Sequence, residues 1–442
     1  MNNLVWFRND LRVTDNHSLK KACDNDGKVI GVYCFDPIFY QNSNFGLDID
    51  IELPFGKTGK FRAQFIIEAI EDLRKQLDKH GIPLLVYHDS PVNVFPDIIK
   101  EYDITNIYLQ KEWTRDEVEQ EKLLGTALKL LEVKPKGHRT YDQFLYHPDD
   151  VPYSNFQEIP TVFTQFRKKC EKESHVRTLV DIKDYQQELP SIVMTTIPQL
   201  EDLGLESFEK DHRSAFPWKG GATAAWERLN HYFWDTGKLQ YYKKTRNGLV
   251  GIDYSSKLST WLSIGCISAR EIYWEVQRFE KEVKKNQDTY WLIFELIWRD
   301  FFKYVSLKNG NDIFKLGGIL QKEYEWKSSE RELSKWINGE THERFVNANM
   351  KELATTGWMS NRGRQNVASY WSMHKEQDWR IGAAYFEHIL IDYDVHSNYG
   401  NWMYNSGVGN DPRNRTFNIE LQASRYDSDG TYQRMWLQEE LF

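Results

Sequence analysis

Polar and aromatic residues are concentrated between Thr356 and Arg415, a segment that contains TGWMSNRGRQN and DYDVHSNYGNWMYNSGVGNDPRNR. Asn, Arg, Gln, Asp and Trp are packed here around glycines more densely than a hydrophobic core requires. A buried polar group costs free energy unless it has a partner, so this composition predicts a site that holds a polar, planar ligand. The distribution of tryptophan supports the same prediction, because only Trp6 and Trp113 of the 16 tryptophans precede residue 200.

A short run of hydroxyl residues around one lysine comes directly before a predicted helix that begins near Thr260. The run consists of Ser255, Ser256, Lys257, Leu258 and Ser259. Hydroxyls, backbone N–H groups and a lysine at a helix N-terminus form a suitable site for a diphosphate. A serine N-cap in an ordinary helix explains the same residues, and the segment alone leaves both interpretations open.

Two acidic residues and an asparagine follow the apolar segment that ends at Ile391. They are Asp392, Asp394 and Asn398, and they can bond the N–H groups of a ring and the hydroxyls of a ribose. Arg364 can pair with Asp392 and face a ring that becomes negative on reduction. A buried structural salt bridge is the alternative interpretation of that pair.

Glu295 and Trp298 occur in ELIWRDFF at positions i and i+3, so a helix places them on one face. A carboxyl beside an indole can bond the edge of a nucleobase while the indole stacks on it. A core helix with an outward glutamate is the alternative. Trp326, Trp379 and Trp402 are equally compatible with ordinary core aromatics.

Several other chemistries are not indicated. The 12 histidines are scattered, with no HExxH and no Cys/His cluster at ligand spacing, so no metal site is expected. A GxSxG nucleophile elbow is also absent. The formal charge of −8 argues against a generally basic nucleic-acid protein. Residues 213–246 nevertheless carry seven basic and two acidic residues interleaved with aromatics, which suits a solvated face or an anion-binding surface about equally.

Bulk properties set the protein class. A chain of 442 residues, 40% hydrophobic and 14% aromatic, predicts two or three well-packed domains. Cys23, Cys34, Cys170 and Cys266 form no regular framework and are interpreted as reduced thiols. The N-terminus does not resemble a signal peptide, and there is no uncharged apolar run of membrane-spanning length. We therefore expect a soluble, cytoplasmic protein, and a monomer.

The pattern of elements changes along the chain. Strand patterns at 4–7, 29–35, 84–87 and 107–109 alternate with helical patterns at 61–77 and 111–131, which predicts a doubly wound parallel sheet. Residues 132–212 are irregular and rich in proline. From residue 213 onward, helical spacing dominates at 260–279, 290–305 and 379–391. The predicted organisation is an α/β domain at 1–131, a connector at 132–212 and an all-helical domain at 213–442.

These residues resemble the photolyase/cryptochrome superfamily, and within it the DASH-type cryptochromes. The resemblance extends from LVWFRNDLRV at residue 4 almost to the end, and its most specific parts are ELIWRDFF, TGWMSNRGRQN and SNYGNWMYNSGVGNDPR. It implies an N-terminal α/β antenna domain, a long connector and a helical domain that binds FAD in a bent shape.

The resemblance also implies roles for individual residues. FAD would be held by Tyr242, Ser255, Ser256, Lys257, Leu258, Ser259, Arg364, Asp392, Asp394 and Asn398. Trp402, Trp379 and Trp326 would form an electron-transfer chain, proximal to distal. A flipped pyrimidine dimer would be bound by Glu295, Trp298, Asn361, Tyr404 and Gln365. DNA would be contacted by Arg246, Arg299, Arg362 and Gln422. Glu112 would hold a reduced-folate antenna, 5,10-methenyltetrahydrofolate, although a solvent-exposed glutamate at a helix start explains it equally.

Two departures from ordinary dimer photolyases point to the DASH type. Tyr404 replaces a second stacking tryptophan, and Gln365 stands where methionine is frequent. Weaker stacking disfavours extraction of a dimer from a duplex, so single-stranded DNA is the expected partner. A third departure is Asn347, where relatives usually carry an aspartate preceded by Gly and Pro.

The expected function is blue-light-driven repair of cyclobutane pyrimidine dimers, preferably in single-stranded DNA, by electron transfer from excited reduced FAD. Retention of Glu295 and Trp298 favours repair. The alternative is a blue-light signalling cryptochrome with little repair activity.

Overall fold

The structure is a computed structural model that describes residues 2–41, 43, 45–132, 134–188, 192–411 and 416–438. Its first part is a parallel five-stranded sheet in the order β3-β2-β1-β4-β5. The strands are β1 (Asn2–Trp6), β2 (Val29–Cys34), β3 (Leu84–Tyr87), β4 (Ile104–Gln110) and β5 (Lys136–Thr140). Crossover helices cover both faces, as the alternating pattern predicts. They are α1 (His17–Cys23), α2 (Lys60–Asp78), α3 (Pro91–Glu101) and α4 (Arg115–Leu128).

Local chemistry explains the helix ends in this domain. α2 buries its apolar face against the sheet and ends at Asp78. The turn that follows α2 contains Gly81, at φ +70°. A Cβ at Gly81 would lie 2.0 Å from the carbonyl oxygen of Gln187, so only glycine fits there. The helix predicted at 111–131 is shorter than expected, because residues 111–114 continue from β4 as an extended segment and α4 begins at Arg115.

The sheet domain does not end at residue 131 as expected. β5 lies beyond that boundary and pairs with β4 from Asn106 opposite Lys136 to Gln110 opposite Thr140. Its sequence, KGHRT, is polar because β5 is a largely exposed edge strand, so it lacks the apolar signature of a buried parallel strand.

The described part of the connector packs on the helical part. It contains α5 (Phe163–Glu173), whose Phe163 ring stacks on Trp298 with centroids 3.7 Å apart. The buried carboxylate of Asp300 accepts the backbone N–H groups of Leu145 at 3.0 Å and Tyr146 at 2.8 Å. These contacts fix the connector against the helix that carries Glu295 and Trp298.

The second part is helical. Its elements are α6 (Ala222–Asn230), α7 (Tyr242–Thr245), α8 (Ser259–Ser263), α9 (Ala269–Glu282), α10 (Gln287–Asn309), α11 (Glu330–Ile337), α12 (Arg344–Thr356), α13 (Asn361–Ser369), α14 (Trp379–Ile389), α15 (Val395–Asn405), α16 (Ile419–Tyr426) and α17 (Thr431–Leu437). Within the described ranges, no helix is both long enough and apolar enough to cross a bilayer.

The single helix predicted at 260–279 is two helices in the structure. Between α8 and α9, Gly265 adopts φ +73°, and a Cβ there would lie 2.1 Å from the carbonyl oxygen of Asn9. Arg12 of the sheet domain donates to the Gly265 carbonyl at 2.9 Å. The helix is therefore interrupted by close packing against the other domain, which local periodicity cannot reveal.

The Asp300 contact predicts a measurable stability change. Asp300→Ala would leave two buried N–H groups without acceptors, so we expect the free energy of unfolding to fall by about 2–5 kcal/mol. Asp300→Asn, which retains one acceptor oxygen, is the matched control and should lose less. Chemical denaturation measures both, and an alanine variant within about 0.5 kcal/mol of the unsubstituted protein would contradict this role.

Candidate active site

A buried arginine shapes the loop that precedes α8. The Arg228 guanidinium donates to the carbonyl oxygens of Ser256 at 3.0 Å and Ser255 at 2.9 Å, and to the Asp253 carboxylate at 2.6 Å. Arg228 belongs to the basic segment 213–246, whose interpretation as a solvated face therefore fails at this residue. Its role is to turn the loop carbonyls away from the cavity described below.

Lys257 is the one residue of this loop with strained backbone geometry, at φ +63°. Its ammonium is buried over the Tyr254 and Trp358 rings and has no hydrogen-bond partner among the described residues. Burial lowers the pKa of Lys257 well below its usual range. A buried cation that lacks a partner fits an anionic group such as a diphosphate. The helix dipole adds little, since α8 has only five residues.

Asp392 joins three segments that are distant in sequence. It pairs with Arg364 of α13 at 2.9 Å and accepts the Ser259 hydroxyl at 2.7 Å. Arg364 also donates to the Met359 carbonyl at 3.0 Å, which fixes the direction of its guanidinium. The Arg364–Asp392 pair suggested by the sequence is thus present in the structure.

Asp394 and Asn398 lie at the start of α15. Asp394 caps the helix by accepting the Ser397 N–H at 2.8 Å, and Lys303 of α10 donates to its other oxygen at 2.9 Å. Burial alone would raise the pKa of Asp394, but Lys303, His396 and Arg299 outweigh it and hold the pKa well below its usual range. The Asn398 amide donates to the Ala383 carbonyl at 3.0 Å, which orients it.

These side chains surround one cavity of about 1060 Å³, partly open to solvent. Its walls include Tyr242, the loop Ser255–Ser259, Arg364, Asp392 and Asp394. Asn398 and Trp402 line an adjoining cavity that shares Asn361, Arg364, Asp392 and Asp394 with the first. The Lys257 side chain, which has no hydrogen-bond partner among the described residues, suits a diphosphate, and the acidic and amide groups suit the ring system of FAD.

Glu295 lines the same cavity, on α10. Arg246, just after α7, pairs with it at 3.0 Å, and both side chains are partly exposed. Burial raises the pKa of Glu295, and Arg246 acts in the opposite direction. The carboxyl predicted to meet a dimer therefore lies beside the cofactor-binding residues.

Two aromatic rings meet near Glu295. The Trp298 and Tyr404 centroids are 6.1 Å apart, with the ring planes nearly perpendicular at 86°. One face of Trp298 is already covered by Phe163. Asn361 is exposed at the cavity rim. The side-chain oxygen of Gln365 accepts a hydrogen bond from Arg362 at 2.9 Å. Glu295 and Asn361 line the cavity at its mouth, Gln365 lines the adjoining cavity, and Trp298 lies one helical turn from Glu295 and contacts Tyr404.

The predicted DNA contacts separate into two groups. Arg246 and Arg362 are only partly buried, and Arg362 also packs over the Tyr426 ring at 4.8 Å. The structure does not bring Arg299 to the mouth, because its guanidinium donates to the carbonyls of Gln143 at 2.6 Å and Leu262 at 3.1 Å, deep between the domains. Gln422 is buried in α16 with 8% of its surface exposed. The DNA contacts of Arg299 and Gln422 stay predictions.

The three predicted electron-transfer tryptophans lie in segments that contact one another, with Trp402 and Trp379 buried and Trp326 half-buried. Trp402 packs on α14 at Gly382, where a Cβ would lie 2.3 Å from the indole. Gly382 is one helical turn from Trp379, which is also buried. Lys327, next to the half-buried Trp326, forms a backbone bridge with Gln377. The Trp336 ring, which the sequence did not single out, also contacts Trp402, with centroids 6.2 Å apart.

Glu112 is not the exposed helix-start residue that was the alternative. It is 7% exposed and lines a second cavity of about 1280 Å³ between the carboxyl ends of the strands and the helical domain. Burial raises the pKa of Glu112 to about 7, although Arg8 and Lys303 lower it. Ser263, Arg299 and Asp394 line both cavities, so only a shared wall separates them.

Sequence reasoning missed several residues that build these sites. Arg228 and Lys303 act through long-range contacts that no local pattern records. Trp358 lies within TGWMSNRGRQN and lines the cofactor cavity, so the motif itself signalled it. Pro412 to Arg415, the end of the other motif, lie outside the described residues.

The family comparisons agree with this architecture. Residues 3–189 match the family described as DNA photolyase, and residues 291–440 match the FAD binding domain of DNA photolyase. The first match extends through β5 and most of the connector.

Individual relatives match over nearly the whole chain. A Cryptochrome DASH from Xenopus laevis is 44% identical over 440 residues, which are 99% of this chain and 82% of that protein. A Cryptochrome DASH from Gloeobacter violaceus is 44% identical over 437 residues, 99% of this chain and 85% of that protein. The crystal structure of a Synechocystis sp. cryptochrome superposes with a TM-score of 0.92 at 44% identity, covering 99% of this chain and 88% of that one. The chain therefore belongs to the photolyase/cryptochrome superfamily, and within it to the DASH-type cryptochromes.

Proposed function

We propose that the protein repairs cyclobutane pyrimidine dimers under blue light, preferably in single-stranded DNA. The observation that carries this proposal is that Glu295 and Asn361 line the same cavity as the residues suited to FAD. When bound and reduced, FAD would supply the chemistry of the reaction: excited by light, it donates one electron to the dimer, which splits and returns the electron. The protein then has to hold both partners and exclude competing reactions.

Each group at the mouth has a defined task. Glu295 bonds the carbonyl and N–H edge of the flipped dimer. Trp298 offers the ring face that Phe163 leaves open, and Tyr404 forms a second wall nearly perpendicular to it. Two walls that meet at an angle fit the bent shape of a dimer better than a parallel slot. Asn361 at the rim and Arg362 beside Gln365 contact the lesion and the neighbouring backbone.

The preference for single strands follows from the weakness of one wall. Tyr404 presents a smaller ring than an indole, and base–aromatic stacking contributes about 1–3 kcal/mol per base. Extraction of a paired dimer from a duplex costs a few kcal/mol more than capture from a single strand. A site with reduced stacking is therefore selective for substrates that need no extraction.

The repair proposal predicts distinct effects for two substitutions. Glu295→Ala should retain FAD but lower the rate of repair by about 5- to 150-fold, equivalent to about 1–3 kcal/mol, because a group of the lesion loses its hydrogen-bond partner. Trp298→Ala should mainly weaken DNA binding. Dimer loss is quantified after illumination of the reduced protein with single-stranded and duplex oligonucleotides.

Glu282→Ala, which changes an exposed acid of α9, is the control for this experiment and should repair normally. Denatured protein should release FAD, and a colourless protein that takes up no added FAD would refute the whole proposal. Better repair of duplex than of single strands would refute the strand preference. If neither substrate is repaired, the signalling alternative replaces repair.

The tryptophan series supports a second proposal, that Trp402, Trp379 and Trp326 deliver electrons to the oxidised cofactor. Trp402→Phe should strongly slow photoreduction, since a phenyl ring is far harder to oxidise than an indole, and leave repair by pre-reduced protein mostly intact. Trp261→Phe, which changes another fully buried tryptophan, is the matched control. If Trp402→Phe and Trp261→Phe are photoreduced at equal rates, the proposal fails and Trp402 is an ordinary core residue.

The second cavity supports the proposal of a light-harvesting reduced folate, 5,10-methenyltetrahydrofolate. Glu112 would hold its pterin N–H groups, and the amide oxygens of Gln110 and Gln143 are buried there without partners among the described residues. Glu112→Ala should abolish near-ultraviolet absorbance beyond that of FAD after incubation with the folate. Glu119→Ala, which changes an exposed acid of α4, should retain it. If the unsubstituted protein binds no folate, the proposal fails.

A further inference from the structure

The contact between Arg246 and Glu295 presents a conflict between two tasks. Arg246 Nη1 lies 3.0 Å from Glu295 Oε1, with side chains 18% and 27% exposed. In the proposed function Glu295 must bond the lesion and Arg246 must bind a DNA phosphate. One Arg246 nitrogen holds one Glu295 oxygen, so a phosphate that draws Arg246 away would break the ion pair and free Glu295 for the lesion.

Arg246 belongs to a short basic strip that lies along one face of α10. Lys243 packs over the Trp291 ring at 4.2 Å and donates to Gln287 at 3.2 Å, while Arg246 reaches Glu295 further along. Gln287, Trp291 and Glu295 follow at steps of four residues, so they share this face. The strip borders the mouth of the cavity and can be reached by the backbone of a bound strand.

Within the described part of the chain, no other cation replaces Arg246 at Glu295. On α10, Arg299 is committed to the carbonyls of Gln143 and Leu262. Lys303, also on α10, is paired with Asp394, and on the facing wall Arg364 is paired with Asp392. From α7, the buried phenol of Tyr242 also faces Glu295, and it carries no positive charge. Once Arg246 leaves, Glu295 loses its counter-charge and keeps the burial that raises its pKa, and only the smaller effect of Trp291 still opposes that burial.

The chemistry of the lesion makes this loss useful. An ionised carboxylate only accepts hydrogen bonds, whereas a carboxylic acid also donates one. The edge of a pyrimidine dimer presents carbonyl oxygens, which need a donor. A neutral Glu295 can therefore serve both the carbonyl and the N–H groups of the lesion.

We infer that the Arg246–Glu295 pair is a proton switch operated by DNA: a backbone phosphate takes over Arg246, and Glu295 takes up one proton from solvent and meets the lesion as a neutral acid. This inference rests on the proposed function, because it requires a nucleic-acid backbone at the mouth. Burial raises the pKa of Glu295, and Arg246 lowers it. Loss of Arg246 therefore favours the protonated form of Glu295, as the switch requires.

Infrared difference spectroscopy tests the switch directly. The probes are an undamaged single-stranded oligothymidylate and the same strand with one dimer, both kept in the dark at neutral pH. A carboxylic-acid carbonyl band should appear when either strand binds, shift in deuterium oxide, and be absent from Glu295→Gln. Arg246→Gln should show the band without DNA. Lys243→Gln, which removes a neighbouring charge that does not touch Glu295, should show it only with DNA.

The pH dependence of DNA binding gives a second readout. If binding takes up one proton, the affinity for DNA falls as the pH rises above the pKa of Glu295 in the free protein. The fall is up to about tenfold per pH unit, and Glu295→Gln should not show it. If the strands bind and are repaired without the band and without this slope, the switch is wrong and the repair proposal stands. If no strand binds, the proposed function fails and the switch fails with it.

Discussion

The buried ion pair between Arg364 and Asp392 is the constraint on which the cofactor cavity depends. It joins α13, the turn before α15 and, through the Ser259 hydroxyl, the loop before α8. Removal of one member would leave an uncompensated buried charge, which typically destabilises a protein by about 3–5 kcal/mol. Through the Ser259 hydroxyl, the pair also fixes the acidic groups relative to the loop that carries Lys257, so the residues suited to both parts of FAD are held in one arrangement.

The charges around this cavity are distributed unevenly. Asp392, Asp394 and Glu295 each have a cationic partner within the protein, whereas the Lys257 ammonium has no hydrogen-bond partner among the described residues. An anionic ligand such as a diphosphate would supply the hydrogen-bonded counter-charge that Lys257 lacks. A formal charge of −8 for the chain does not oppose this, because the field inside a cavity is set by the groups that line it.

The elements that could be predicted from the sequence are those whose buried face appears as a local pattern of apolar residues. β1 to β4, α2 and α10 are apolar runs or stripes, and all were predicted with small errors at their ends. Sequence reasoning missed β5 because an exposed edge strand has no apolar signature. It merged α8 and α9 because the interruption at Gly265 exists only through contact with Asn9, more than 250 residues earlier.

The site shows the same division. Its residue types could be identified from the motifs, because polar side chains are rarely clustered at buried positions unless they bind a ligand or one another. The hydrogen-bond or ion-pair partner of each charged side chain could not be identified. Arg299 and Arg246 both looked available to DNA, yet one is fixed by carbonyls between the domains and the other holds Glu295. Such assignments depend on which partner is nearest in space, and sequence spacing carries no information on that.

The central claim is that cofactor and lesion occupy one cavity, and the fluorescence lifetime of the bound reduced flavin tests it most directly. A single-stranded oligonucleotide that carries one dimer should shorten this lifetime, because electron transfer to a lesion a few ångströms away competes with emission. The same strand without the dimer should leave it unchanged. Equal lifetimes with both strands, at saturating DNA, would contradict the shared cavity.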